Sequence, residues 1–232
     1  MTPEAFLSGR HTPLKLVIFD CDGVLVDSEG IANRIIAREL TAIGWQMNDQ
    51  EADQLFLGMT LPGMIPMIEA KIGHKIPADF GENLRVAFEQ SLSREAEAIP
   101  GAIAALDGVT ALGLPWRVAS NSSHEEMAVK FARIGILGRV AGRQHSFQDV
   151  TRGKPAPDIF LAAAAAEGVR PGECLVIEDS TTGMRAARAA GMDCLAYAPH
   201  GGDEAFRALG AVPFKPMQDL PRLLALAIRG TA

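Results

Sequence analysis

Asp20 and Asp22 are separated by one residue and follow the apolar run Leu16-Val17-Ile18-Phe19. An unbroken apolar run of this length reads as a parallel strand buried on both faces. Carboxylates at the end of such a strand are costly to bury unless they are paired, protonated or bound to a cation. Ligands also bind at the carboxyl edge of a parallel sheet. The pair therefore points to a metal-assisted catalytic site, against the plainer reading of a polar turn at Asp22-Gly23. Three further segments carry groups able to do chemistry. Ser120-Asn121-Ser122-Ser123 follows a second apolar run, Glu178-Asp179-Ser180 follows a third, and Lys154-Pro155-Ala156-Pro157-Asp158 precedes a helical stretch. Each alone has an ordinary explanation: a helix N-cap, an acidic pair at a helix start, a surface lysine.

The elements that would gather these groups are legible as alternating runs. Apolar segments at 116–119, 174–177 and 194–197 are flanked by helical patterns at 101–112, 123–134, 158–167 and 181–190. Gly135, Gly168 and Gly191 stand where helices should stop. This alternation predicts parallel βαβ units and the α/β class, a Rossmann-like doubly wound sheet. The weaker run 139–142 is expected to add a strand. Residues 31–99 break the rhythm. Ile36, Leu40 and Ile43 keep helical spacing, as do Leu61, Ile65, Ile68 and Ile72, and 83–97 is charged and helix-favouring. We expect a helical cap at 30–99, inserted between core segments 1–29 and 100–232, with glycine and proline at its joints. Met59, Met64 and Met67 are expected in the core of the cap.

Composition narrows the function. With 48% hydrophobic and 22% charged residues in 232, a sizeable core can form. A net charge of −6 without a basic run argues against nucleic acid, though not against a small anionic metabolite. Residues 1–13 lack an apolar stretch behind a basic segment, and no apolar run reaches the roughly 18 residues of a membrane helix. A cytoplasmic monomer is expected. Cys21, Cys174 and Cys194 are too far apart for a zinc cluster and read as reduced thiols. Cys21 has no histidine near it in sequence to activate it, and none of the five histidines falls in a chemical segment.

Taken together and in order, Asp20 with Asp22, Ser120, Lys154, and Glu178-Asp179 resemble the four motifs of the haloacid dehalogenase-like (HAD) phosphohydrolases. The fuller wordings around Lys154 and Glu178 resemble the subgroup holding β-phosphoglucomutase and small sugar-phosphate phosphatases, which carries a helical cap after the first motif. The resemblance implies that Asp20 is a nucleophile forming an aspartyl-phosphate and that Asp22 is the general acid and base. It implies Mg²⁺ held by Asp20, Asp179 and the backbone carbonyl of Asp22, with Glu178 as a ligand or as support behind the ligands. Ser120, Asn121 and Lys154 would bind the phosphate.

The chemistry of these assignments is coherent. Two unit charges about 4 Å apart repel by on the order of 4 kcal/mol at an effective dielectric of about 20. A cation must offset this when a carboxylate approaches a phosphate, and Mg²⁺ suits carboxylate and phosphate oxygens. Positioning and charge stabilisation are the main demands of phosphoryl transfer. The expected function is a Mg²⁺-dependent phosphatase for a small sugar or sugar-acid phosphate.

A β-phosphoglucomutase-like mutase is the alternative, and a catalytically idle metabolite-binding protein is the reading from a different class. The mutases have a histidine twelve residues after the nucleophile, where this chain has Ala32. Their cap arginine falls on Leu61 if Leu57-Gly58-Met59-Thr60-Leu61 is the matching turn. The superfamily's dehalogenases lack the second aspartate, and its phosphonate hydrolases use a cap lysine, for which Lys71 and Lys75 have no supporting context. The substrate itself is not legible.

Overall fold

In the computed structural model, residues 1–56, 59 and 61–229 are described. They form two compact units, Met1–Asp27 with Ala98–Ala232, and Ser28–Glu97. The first unit holds a parallel sheet of β1 (Leu16–Phe19), β2 (Trp116–Ser120), β3 (Gln144–Ser146), β4 (Cys174–Glu178), β5 (Asp193–Tyr197) and β6 (Val212–Phe214). Their spatial order is β3-β2-β1-β4-β5-β6. This is the doubly wound α/β class that the alternating runs predict. The order reverses between β1 and β4, where such sheets open a ligand crevice at their carboxyl ends.

Register places the chemical segments at that crevice. Phe19 lies opposite both Val118 and Ile177, and the Asp20 N–H donates to the Ile177 carbonyl at 2.9 Å. Asp20, Ser120 and Glu178 therefore leave the sheet side by side. Strand alternation divides the core between the two faces. On one, Ile18, Ala119 and Val176 pack against Phe160 of helix Asp158–Ala166 and Met184 of helix Thr181–Ala189. On the other, Phe19 meets Trp116 edge to face at 6.4 Å, and Trp116 Nε1 donates to Thr110 Oγ1 of helix Ala102–Ala111 at 3.0 Å. Gly108 lets that helix rest on helix Leu220–Arg229, because a Cβ there would lie 2.3 Å from Pro221 Cγ.

The strand expected at 139–142 is not formed. Leu137–Val140 is one helical turn, Gly142 turns the chain at φ +72°, and the edge strand follows at Gln144–Ser146. An edge strand is exposed on its open side, so its polar composition gave no apolar signal. β6 and the helices Pro3–Ser8 and Leu220–Arg229 had no counterpart in the sequence reading.

The second unit contains helices Glu29–Ala42, Asp49–Phe56, Leu61–Ile72 and Phe80–Glu95. Leu40, Phe56, Met64, Ile68 and Phe80 form its core, with Met59 packed alongside. Met67 is 39% exposed, contrary to expectation. Its spacing from the buried Met64 and Ile68 would allow burial, so its exposure is set by what packs against the helix and not by periodicity. Lys71 stands 5.9 Å from the Trp45 ring centre, and Lys75 is exposed in an ion pair with Glu69 at 2.7 Å. Among the described residues no helix is long and apolar enough to cross a membrane.

Candidate active site

The turn after β1 sets the floor of the site. Gly23 adopts φ +69°, and a Cβ on it would lie 1.8 Å from Asp179 Oδ2. Only glycine both accepts the left-handed backbone and lets the Asp179 carboxylate close over the turn. At the end of β4, Glu178 is fully buried. Its Oε1 accepts from Lys154 Nζ at 2.7 Å, and its Oε2 accepts from the Asp179 N–H, the Ser180 N–H and Ser180 Oγ at 3.0, 2.9 and 2.9 Å. Glu178 thus meets one donor on Oε1 and three on Oε2. It braces Lys154 and the Asp179 backbone. Gly183 makes room for it, since a Cβ there would sit 1.6 Å from Glu178 Oε1.

Lys154 is the hub. Its ammonium donates to Asp20 Oδ1 at 2.7 Å as well as to Glu178, and lies 4.7 Å from the Phe160 ring centre. Burial disfavours the charged amine, but Asp20 and Glu178 outweigh that and hold its pKa above the ordinary lysine value. Asp20 shows the opposite balance. Burial pushes its carboxyl up to about 7 despite Lys154, with the charges of Glu178 and Asp22 adding to the rise. Carboxylate oxygens of Asp20, Glu178 and Asp179 lie within 4.8 Å of one another. Three carboxylates against one ammonium leave excess negative charge that a divalent cation would offset.

Asn121 acts on Lys154. Its Oδ1 accepts from the Lys154 N–H at 2.8 Å and its Nδ2 donates to the Lys154 carbonyl at 3.0 Å. The side chain expected on phosphate thus also clamps the lysine backbone. Ser120 is buried. Its Oγ accepts from the Ser122 N–H at 3.0 Å and reaches Asp22 Oδ2 only at 3.5 Å, the outer limit of a hydrogen bond. The N-caps belong to neighbours: Ser123 forms a capping box with Glu126, and Ser180 Oγ accepts from the Gly183 N–H. Cys21 is buried, and burial raises its thiol well above the ordinary value, with the Asp22 charge adding to the rise, so it stays a protonated core residue.

Asp22 holds two partners that sequence reasoning did not assemble. Its Oδ2 accepts from Ser122 Oγ at 2.8 Å and its Oδ1 from Lys130 Nζ at 2.6 Å. Lys130 lies on helix His124–Arg133 in register with the buried Met127 and Phe131. A lysine three residues after one core position and beside another was the available signal, since a solvated lysine belongs on the opposite face.

The profile of haloacid dehalogenase-like hydrolases matches residues 14–191. The chain belongs to that family. Among curated relatives of this HAD-like chain, 6-phosphogluconate phosphatase of Escherichia coli K12 is 30% identical over 190 residues, covering 81% of this chain and 85% of the relative. Hexitol phosphatase A of the same organism is 31% identical, covering 77% and 81%. A HAD family hydrolase from Deinococcus radiodurans R1, solved with bound phosphate and sodium, superposes with a TM-score of 0.78 at 32% identity, covering 93% and 97%. This is a HAD-like phosphatase, an enzyme acting on phosphorylated metabolites. Ala32 lies in helix Glu29–Ala42 and Leu61 opens helix Leu61–Ile72, while Leu57, Gly58 and Thr60 lie outside the described residues.

Proposed function

We propose that this HAD-like enzyme is a Mg²⁺-dependent phosphatase that hydrolyses a small sugar or sugar-acid phosphate through an aspartyl-phosphate on Asp20. The observation that carries the reading is the Lys154 ammonium bridging Asp20 and Glu178 at 2.7 Å each, beside the Asp179 carboxylate. It supports an Asp20 oxygen aimed at the crevice and partly neutralised for attack on an anion.

The all-oxygen donor set suits Mg²⁺. Asp20, Asp179 and the Asp22 carbonyl would hold it, with Glu178 supporting from behind through Lys154 and the Asp179 and Ser180 backbone. When bound, Mg²⁺ supplies positive charge to the phosphoryl oxygens and the nucleophile. Asp20 attacks phosphorus while the ester oxygen departs and takes a proton from Asp22. Asp22 then takes a proton from the water that attacks the aspartyl-phosphate, releasing phosphate and restoring Asp20. Lys154 offsets charge on Asp20 and the transferring group. Asn121 fixes Lys154 through its backbone, and the Ser120 hydroxyl and the turn at Gly23 offer donors to the phosphate.

The names of the two Escherichia coli relatives support a sugar-acid or sugar-alcohol phosphate as substrate. The helical unit is the part we assign to the cap and to substrate selection. Ala32 offers only a methyl group where the mutases have a histidine, which supports hydrolysis over isomerisation.

The test is phosphate release from 6-phosphogluconate, hexitol and hexose phosphates, phosphoglycolate and nucleotides, with Mg²⁺ or with chelator. Mg²⁺-dependent release, highest for a sugar-type phosphate, is the expected result. Conversion of a hexose 1-phosphate to its 6-phosphate given a bisphosphate primer would establish the mutase instead. Asp179→Ala should raise the Mg²⁺ concentration for half-maximal rate by about tenfold or more. An unchanged titration would contradict the metal assignment.

A further inference from the structure

A lysine on the buried stripe of an amphipathic helix is an unfavourable choice for packing alone. An apolar residue of similar volume would fill the place without the desolvation of an ammonium. Lys130 is 1% exposed, yet its ammonium meets Asp22 at 2.6 Å and Ser122 Oγ at 2.8 Å. Ser122 in turn donates to the other Asp22 oxygen at 2.8 Å. The serine is itself braced, because the Ser122 carbonyl accepts from the fully buried Ser146 Oγ at 2.7 Å and the Ser122 N–H donates to Ser120 Oγ at 3.0 Å. The helix His124–Arg133, the loop after β2 and the end of β3 thus converge on one carboxylate.

We propose that Lys130 is a positioning residue for Asp22, fixing its carboxylate through paired contacts from the Lys130 ammonium and the Ser122 hydroxyl. The inference rests on the reading of Asp22 as the acid and base of a phosphatase. One Asp22 oxygen meets the ammonium and the other the hydroxyl, so the two contacts together fix both the place and the orientation of the carboxylate. The side chain is 30% exposed, so without this clamp it would sample several rotamers at the crevice. Misplacing a catalytic group by about 1 Å costs on the order of 100-fold in rate.

The experiment is a double-mutant cycle on Lys130→Met and Asp22→Asn. It uses Mg²⁺-loaded enzyme and p-nitrophenyl phosphate, whose leaving oxygen needs no added proton, so Asp22→Asn loses only the base step on the aspartyl-phosphate and its slow turnover is followed at high enzyme concentration. Lys130→Met alone should lower kcat about 10- to 100-fold and change KM by less than about threefold. In the Asp22→Asn background the same change should alter kcat by less than about twofold. A parallel cycle of denaturant midpoints on metal-free protein should show coupling: Lys130→Met should be less harmful, or restoring, once Asp22 is Asn.

Equal kcat losses in both backgrounds, or no loss in either, would overturn the inference, as would strictly additive midpoints. If Lys130→Met fails to unfold cooperatively, Ser122→Ala takes its place in the cycle with the same expectations. The two readings fail differently. No phosphate release by wild-type enzyme on any substrate overturns the phosphatase and the positioning role together, whereas normal wild-type release with an uncoupled cycle overturns the positioning role alone.

Discussion

Asp20→Asn should lower phosphate release by at least about 10³-fold while the protein stays folded. The amide matches the carboxylate in shape but lacks the anionic oxygen that would bond to phosphorus. Lys154 keeps Glu178 as its partner, so the substitution leaves that buried ammonium compensated. Stability gives a second, independent sign. Asp20 ionises at its ordinary value of 3.8 in the unfolded chain and at about 7 in the folded one. Between those values the folded state binds more protons, so this group's contribution to stability falls as pH rises and levels off above about pH 7. The neutral amide escapes that penalty. Metal-free Asp20→Asn should therefore melt at or above the wild-type temperature at pH 8, with the difference shrinking toward pH 5. Turnover within tenfold of wild type would remove Asp20 as the nucleophile.

Lys154→Met should damage both function and fold. Methionine approximates the volume of the lysine stem beside Phe160, so packing changes little while the charge is lost. Glu178 would then keep its place at the end of β4, buried and without the cation it meets at 2.7 Å. Removing one partner of a buried ion pair costs about 3–5 kcal/mol, and activity should fall by about 100-fold or more as Asp20 and the phosphate lose a counter-charge. Denaturant unfolding measures the first effect and steady-state kinetics the second. Lys154→Met combined with Glu178→Gln should recover part of the stability and none of the activity. A single variant as stable as wild type would mean that the bridge contributes little.

The sequence revealed the site to the extent that strand ends expose it. Asp20, Ser120 and Glu178 each terminate an apolar run, and parallel pairing brings such ends together. Lys154 was legible only through its motif, because nothing in its local composition separates a buried lysine from a surface one. Asn121 was assigned to phosphate on chemical type; that its amide also pairs with the N–H and C=O of Lys154 is a tertiary contact the sequence does not display. Lys130 was missed because charges on an amphipathic helix usually mark the solvated face. Its spacing from Met127 and Phe131 is compatible with the buried one, and its contacts with Asp22 and Ser122 decide the matter. The error at 139–142 has the same origin as the missed β3: edge strands need no apolar signal. Helical periodicity exposed the second unit, but periodicity alone could not place Met67 within it.

Rapid-quench labelling reveals whether Asp20 carries the phosphoryl group during turnover. Wild-type enzyme is mixed with Mg²⁺ and a substrate carrying radiolabelled phosphate, then stopped in acid within milliseconds. The expected product is a labelled protein that is stable in acid, is cleaved by hydroxylamine and maps to the peptide containing Asp20, with no label in Asp20→Asn. Rapid phosphate release with no covalent label at any time, or label on another residue, would contradict an aspartyl-phosphate on Asp20.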